Sequence, residues 1–316
     1  MVAWLIYEKK SAVYNRGYID FYIEEGKKLG ILVKLILIED LEFGVRNHQW
    51  FLSYRGTELE RPDFAIIRVI YPLLSKHLEY MGIKVFNNSF VSEICNDKAR
   101  TYQYLAKTGI PMVDTSFYRN VQVKEVLEKI NQPSVVKAVD GHGGSQVFLY
   151  EPENMDPSLN SNIGSNKSLY RNPNFDSNMM DLDQMKQRED IQNGLKGSDL
   201  VVQPLIGSKN QDLRVYVIGK EIIASVLRTA KEGFRSNFSL GGEVHLYELS
   251  HEERTIVNTI IDQFDFGLVG IDFLIGDEGE LIFNEIEDVV GSRMLYHCSD
   301  INIVKLYLEY IVKCIS

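Results

Sequence analysis

Apolar and polar positions follow two rhythms in the first ninety residues. "VAWLIYE", "ILVKLILI" and "FAIIRVI" are nearly continuous apolar runs of strand length, the pattern of strands covered on both faces. Between them Tyr18 to Leu29 keeps helical spacing and stops at Gly30; a shorter helical stretch passes through Leu78 and Glu79 before "IKVFN" adds another strand. This alternation predicts a small α/β domain on a largely parallel sheet.

Farther along, "NDKARTYQYLAKTGIP" predicts a helix from Asp97 to about Lys107, capped by Asn96 and ended by Gly109 and Pro111. In "PSVVKAVDGHGGSQVFLY" one strand ends near Val139 and another begins at about Gln146. Asn and Ser then dominate "NMDPSLNSNIGSNKSLYRNPNFDSN", which predicts a peripheral, mobile insertion from about Asn154 to Asp190, because it offers little apolar surface to offset ordering entropy. "LVVQPLIG", "DLRVYVIG" and "EIIASVLRTA" resume the strand pattern, the last two turning at Gly219-Lys220. Ser250 and Glu253 form a capping box for a helix through Phe264; Ser299 or Asp300 opens a final amphipathic helix bearing Ile303, Leu306, Tyr307 and Ile311.

The segment "IDFLIGDEGELIFNEIEDVVG" reads as a β-hairpin turning at Gly276-Asp277-Glu278-Gly279. Pairing Gly276 with Leu281 sets Asp272 opposite Glu285 and puts Glu287 on the same face, with Ile271, Phe273, Ile282 and Ile286 on the other. Like charges so placed repel unless a cation lies between them. The choice is between a bare surface cluster and a hard-cation site, since Mg²⁺ prefers carboxylate oxygens and bridges them to phosphates.

Composition narrows the partners. The chain has 316 residues, enough for two or three domains, and a net charge of −10 with no basic block, which disfavours a nucleic-acid backbone. Cys95, Cys298 and Cys314 form no disulfide framework or zinc pattern, and the six histidines never reach metal-ligand spacing. Without a signal-peptide start or an apolar run of about 18 residues, a cytoplasmic protein with no membrane partner is expected.

Two lysines add to the acids. The glycines of Asp140-Gly141-His142-Gly143-Gly144 allow several amides to converge on an anion, and Lys137 on the preceding strand can reach the same point. An unliganded glycine-rich hairpin is the alternative. Lys98 falls in the first helical turn, where a cation is unfavourable for the dipole unless an anion joins it or solvent surrounds it. Neither a P-loop nor a dinucleotide fingerprint is present, for "EKKSAVYNRG" lacks the glycines.

Together these segments resemble the ATP-grasp superfamily, in the branch of glutathione synthetase and the RimK-like glutamate ligases. The resemblance runs from Asn96 to Gly291 through "NDKARTYQYLAKTGIP", "PSVVKAVDGHGGSQVF", "VVQPLIG", "QDLRVYVIG", "LRTAKEGFRSNFSLGG" and "VGIDFLIGDEGELIFNEIE", in that order. It implies an ATP-grasp fold preceded by a small parallel-sheet α/β domain. The division would be 1–94 and 95–316, with a lid at about 112–202 containing a polar insertion at about 151–198. It further implies Lys98 and Lys137 on the nucleotide phosphates, Gly141, Gly143 and Gly144 in the lid loop, and Gln203, Pro204 and Leu205 at a hinge beside adenine. Asp212 and Arg214 would lie in the cleft, with Arg228 near the transferred phosphate. Arg235 and Asn237 would approach the substrate, and Asp272, Glu285 and Glu287 would hold one or two Mg²⁺ ions, or Mn²⁺.

The family usually has Asn where this chain has Glu287. "EDVVG" also lacks the common Ser/Thr-Pro-Gly, and Ala138 replaces a frequent proline. The implied activity is an ADP-forming carboxylate–amine ligase working through an acylphosphate. A regulatory nucleotide-binding protein and a phosphotransferase are the other classes. An amino acid, a peptide or a protein tail is eligible as substrate. Tyr14, Asn15, Arg16, Arg68, Ser292 and Arg293 are candidates for an acceptor pocket, against ordinary surface or packing roles. Oligomeric state is left open.

Overall fold

The computed structural model describes residues 1–144, 146–152, 177–207, 210–229 and 243–316. β1 (Val2–Tyr7) leads through α1 (Lys9–Tyr14) and α2 (Arg16–Lys28) to β2 (Leu32–Leu37), which lies parallel to it. β3 (Leu41–Arg46), β4 (Gln49–Tyr54) and β5 (Thr57–Glu58) then form a separate antiparallel sheet that the strand–helix rhythm does not announce. Its turns place Asn47, His48 and Arg55 at φ 50, 63 and 52°. β6 (Phe64–Ile67), α3 (Pro72–Tyr80), β7 (Lys84–Phe86) and α4 (Ser89–Cys95) complete the region, and the main sheet runs β2-β1-β6-β7, all parallel.

α5 (Lys98–Leu105) is capped by Asp97, whose side chain accepts from the Arg100 amide at 3.0 Å, so the cap is one residue later than expected. Asn96 instead turns inward and donates to Asp288 at 3.0 Å. β8 (Ser116–Tyr118), α6 (Val123–Lys129), β9 (Ser134–Ala138), β10 (Val147–Tyr150), α7 (Ser177–Gly194) and β11 (Leu200–Pro204) follow, and the strands form the antiparallel sheet β10-β9-β11-β8. α7 corrects part of the expected mobile insertion. Ile191, together with Leu195 just past the helix, is buried against Val123 and Leu127 of α6, so two apolar residues four apart anchor an otherwise polar segment. Residues 153–176 of that insertion lie outside the described residues.

The last sheet contains β12 (Gln211–Ile218), β13 (Glu221–Thr229), β14 (Glu243–Leu246) and, after α8 (His251–Ile261), β15 (Leu268–Ile275) and β16 (Leu281–Glu287), in the antiparallel order β14-β13-β12-β15-β16. Gly219 turns β12 into β13 at φ 59°. The Ser250–Glu253 capping box is formed, a device that stabilises a helix by about 1 kcal/mol, but α8 ends at Ile261 rather than Phe264. After α9 (Arg293–Cys298), α10 (Ile303–Ile315) starts at an Asn302 cap; Ser299 points back to the Leu295 carbonyl at 2.7 Å and cannot open the helix.

One face of the five-stranded sheet packs Val215, Ile271 and Phe273 against Val91, Leu105, Val257 and Ile260 of α4, α5 and α8. The opposite face leads to the cleft described below. A second apolar cluster joins Leu5 and Tyr22 to Tyr216 of β12 and Leu308 and Ile311 of α10, so the core passes across residue 94 without a break. Among the described residues no helix is long and apolar enough to cross a membrane.

Candidate active site

β15 and β16 supply the acids through an irregular ladder. Ile275, not Gly276, pairs with Leu281, and the register shifts by one between Asp272 and Phe273, which restores Asp272 opposite Glu285 and sets Gly270 opposite Glu287. Asn284 is the extra residue of this bulge. Because of it Phe283, rather than Ile282, is fully buried among the core residues. Carboxylate oxygens of Asp272, Glu285 and Glu287 lie within 4.8 Å of one another.

The protein's own cations meet that negative charge. Arg214, across the ladder from Asp272, donates Nε to Oδ1 at 2.7 Å and Nη2 to Oδ2 at 2.6 Å, while its Nη1 reaches Glu287 at 2.8 Å. Arg228, paired in register with Asp212, bonds both of that residue's oxygens and sends Nη2 to Asp272 at 2.9 Å. Two guanidinium groups therefore relieve the repulsion at Asp272 and Glu287, though neither pairs with Glu285. Burial acts to raise the Asp272 carboxyl, but Arg214 and Arg228 outweigh it and hold it at about 2. For Asp212 burial wins over Arg228 and raises the group to about 6. Burial likewise raises Glu287, against the pull of Arg214.

The lysines arrive from other elements. Lys98, the first residue of α5, donates to the Gly141 carbonyl and stands 3.4 Å from Glu285. Lys137 on β9 donates to Asn284 Oδ1 at 2.8 Å. Burial lowers Lys137 to about 8; Glu285 opposes the shift and Lys98 adds to it. In the loop, Gly143 and Gly144 take φ 64 and 73°, and a Cβ on Gly141 would stand 3.0 Å from that of Gln146 and 3.2 Å from that of Ala138.

A single cavity is lined by Lys98, Lys137, Gly141, Gly143, Gly144, Gln203, Pro204, Leu205, Asp212, Arg214, Arg228, Asp272, Glu285 and Glu287. It lies between the β9–β11 sheet and the β12–β16 sheet, and Val113, Val135, Ile206 and Leu274 give it an apolar side. Arg235 and Asn237 lie outside the described residues. The Leu205 amide is engaged by the Pro133 carbonyl at 2.9 Å, and Gln203 donates to Thr115 at 2.8 Å. Of the acceptor candidates, Tyr14, Asn15, Arg68, Ser292 and Arg293 line one neighbouring cavity, whereas Arg16 pairs with Asp20 at the surface. Sequence reading missed Asn284, whose place in the cavity depends on the bulge. It also missed the amide cluster in which Asn87 and Asn96 donate to Asp288 at 2.6 and 3.0 Å, tying the end of β16 to the β7–α5 segment.

With the geometry in view, comparison with known proteins decides the family. The model of the RimK-like ATP-grasp domain matches residues 95–171 and 176–311. The chain belongs to the RimK-like ATP-grasp family. A protein of Legionella pneumophila described as a probable alpha-L-glutamate ligase is 29% identical over 242 residues, 75% of this chain and 70% of that one. The RimK domain ATP-grasp protein of Sphaerobacter thermophilus superposes with a TM-score of 0.65 at 13% identity, over 99% of this chain and 100% of its own. The ATP-grasp ligase PsnB, in a structure with a minimal precursor variant, Mg and ADP, gives 0.62 at 12% identity, over 98% and 97%. These likenesses place the RimK-like chain among ATP-dependent ligases and fix its ATP-grasp fold.

Proposed function

We propose that the protein is an ADP-forming carboxylate–amine ligase that activates a substrate carboxylate as an acylphosphate and passes it to an amine on an amino acid or peptide. The observation that carries this reading is the convergence of Lys98, Lys137, Arg214 and Arg228 with Asp212, Asp272, Glu285 and Glu287 on one cavity with an apolar side. Phosphoryl transfer demands positive charge held in place before reaction, and these groups hold it on strands and a helix rather than on loose chain. The glutamate-ligase description of the Legionella relative supports the same class.

The residues fit a hard divalent cation. Glu285 and Glu287 keep side chains 31% exposed, and Asp272, which accepts three N–H bonds, retains one of its roughly four lone-pair positions. Asp272, Glu285 and Glu287 would hold the ion. Magnesium bound there supplies charge against phosphate oxygens.

Lys137 and Lys98 bind and orient the nucleotide phosphates, and the apolar side receives the base. Arg228 commits Nε and Nη2 to Asp212 and Asp272, leaving Nη1 without a partner among the described residues and available to the transferred phosphoryl group. The loop at Gly141 to Gly144 covers the reacting groups and keeps water from the acylphosphate.

The test is a screen of amino acids and short peptides for acceptor-dependent release of ADP and phosphate, with the amide product read by mass spectrometry. Coupled release and an amide are expected. Nucleotide binding without release would assign a regulator instead, and ADP with a phosphorylated product would assign a phosphotransferase.

A further inference from the structure

The metal acids and Lys98 reach the cleft from elements far apart in the chain: Glu287 closes β16 and Lys98 opens α5. A buried carboxylate joins the two. Asp288, the residue after Glu287, is 5% exposed and contributes nothing to the lining of the nucleotide cavity. Asn87 Nδ2 donates to its Oδ1 at 2.6 Å, and Asn96 Nδ2 donates to its Oδ2 at 3.0 Å. The Arg68 charge acts on it from beyond ion-pair distance, so neutral groups make its direct contacts among the described residues.

Both amides are tied down in turn. Asn87, just past β7, donates to the Leu268 carbonyl at 2.9 Å and accepts from the Gly267 amide, so it grips the start of β15 as well as the end of β16. Asn96 donates to the Ser92 carbonyl of α4 at 2.8 Å and immediately precedes Asp97, the cap of α5. One residue farther on, the Lys98 amide donates to the Val139 carbonyl at 2.9 Å, just past the strand that carries Lys137. Hydrogen bonds thus run from β15 and β16 through Asp288 to the first turn of α5 and on to β9. At the cavity end of this frame Lys98 Nζ stands 3.4 Å from Glu285.

We propose that Asp288 is a positioning residue: through Asn96 and Asn87 it sets Glu285 and Glu287 at the spacing from Lys98 that a magnesium ion and a nucleotide phosphate together require. This rests on the metal and nucleotide site proposed above. Stability alone asks for no carboxylate here, since apolar groups of matching shape often replace a buried hydrogen-bonded pair without loss. What directional bonds add is a fixed geometry, and groups that orient metal ligands from behind hold them ready for the ion.

Calorimetric titration of ADP into the full chain, once with magnesium and once with EDTA, gives the factor by which the metal tightens the nucleotide. Asn96→Ala is expected to cut that factor about 10-fold, the lower end of the loss when a group orienting metal ligands is removed. Asp288→Asn should act alike, because its amide offers one oxygen to two donors. Since the two residues act through one bond, the double variant should lose no more than the worse single one. Ser250→Ala is the control: it breaks the distant α8 capping box and lowers the urea midpoint, yet should leave the factor unchanged. An unchanged factor in folded Asn96→Ala, an equal loss in Ser250→Ala, or losses that multiply in the double variant overturns the positioning role. Should Asp288→Asn fail to fold by circular dichroism, Asn96→Ala and the control decide. A parent chain whose ADP affinity ignores magnesium would remove the metal site and this role with it, whereas the ligase reading is judged separately, on ADP and amide formation in the acceptor screen.

Discussion

Four arginines face one end of the cleft, and they form two unlike pairs. Arg214 and Arg228 are 6% and 4% exposed, and each is held by carboxylates of Asp212, Asp272 and Glu287. Arg68 and Arg293 meet a carbonyl, an amide oxygen, the Tyr14 hydroxyl and tyrosine rings, with no carboxylate at ion-pair distance among the described residues. The first pair belongs to the fold: burying its charges is tolerable only because the acids came with them, cross-strand neighbour by neighbour. The second pair is held by neutral groups. Guanidinium groups paired with buried acids are part of the fold's own charge balance, while those on neutral partners keep their charge.

The largest effect should come from removing an acid of the first pair. Asp272→Ala leaves two buried arginines short of their partner and should lower stability by about 3–5 kcal/mol, measured by urea unfolding, whereas Arg68→Met should change it far less. Equal losses would erase the distinction drawn between the pairs. Next, Lys137→Met is expected to cut turnover by about 10²–10³-fold with the fold intact, since it removes one preorganised donor to developing charge. ADP release at saturating nucleotide reads this directly, and a variant within threefold of the parent would exclude Lys137 from the phosphate contacts.

Glu287 stands between the two pairs, bonded to Arg214 and lining both cavities. Glu287→Ala should reduce turnover by about 10–100-fold, the loss of one charged contact, and Glu287→Asn should retain most activity at a shifted magnesium optimum. If a magnesium titration shows neither variant altered, Glu287 serves only Arg214.

pH gives a smaller effect with a definite sign. Because burial lowers Lys137 to about 8, and only its protonated form attracts phosphate, nucleotide affinity should decline as pH rises through 8; Lys137→Arg should abolish that decline. Stability runs the other way. Between about 8 and the ordinary lysine value of 10.5 the folded chain binds fewer protons than the unfolded one, so the Lys137 contribution to unfolding free energy rises with pH across that window. The least effect is expected from salt: raising ionic strength to about 0.5 M should leave urea unfolding of the buried Arg214, Arg228, Asp212 and Asp272 cluster almost unmoved.

Sequence periodicity made the main strands and the acidic hairpin legible, because long apolar runs and paired glycines act locally. It did not reveal the antiparallel β3–β5 sheet, whose turns use Asn47-His48 and Arg55-Gly56 in place of the commonest hairpin dipeptides. The choice of Asp97 over Asn96 as cap was hidden as well, since both side chains can cap and only tertiary contact with Asp288 separates them. Nor did spacing show that Arg214 and Arg228 would neutralise Asp272, a relation made across strands far apart in the chain.

The bulge at Asn284 makes length and chemistry separable in this hairpin. Replacing Asn284 by another residue removes a partner of Lys137 but leaves the count of residues along β16 unchanged. Deleting it would let Phe283 opposite Phe273 be followed directly by Glu285 opposite Asp272, one unbroken register in which Glu285 and Glu287 keep their face and only the bulge and the Lys137 partner are lost. A deletion at 284 should therefore leave the three acids in place, whereas a deletion at Ile286, inside the regular part of the ladder, would turn Glu287 to the other face, and the turn from Gly276 to Gly279, outside the bulge, should absorb added residues without disturbing the acids.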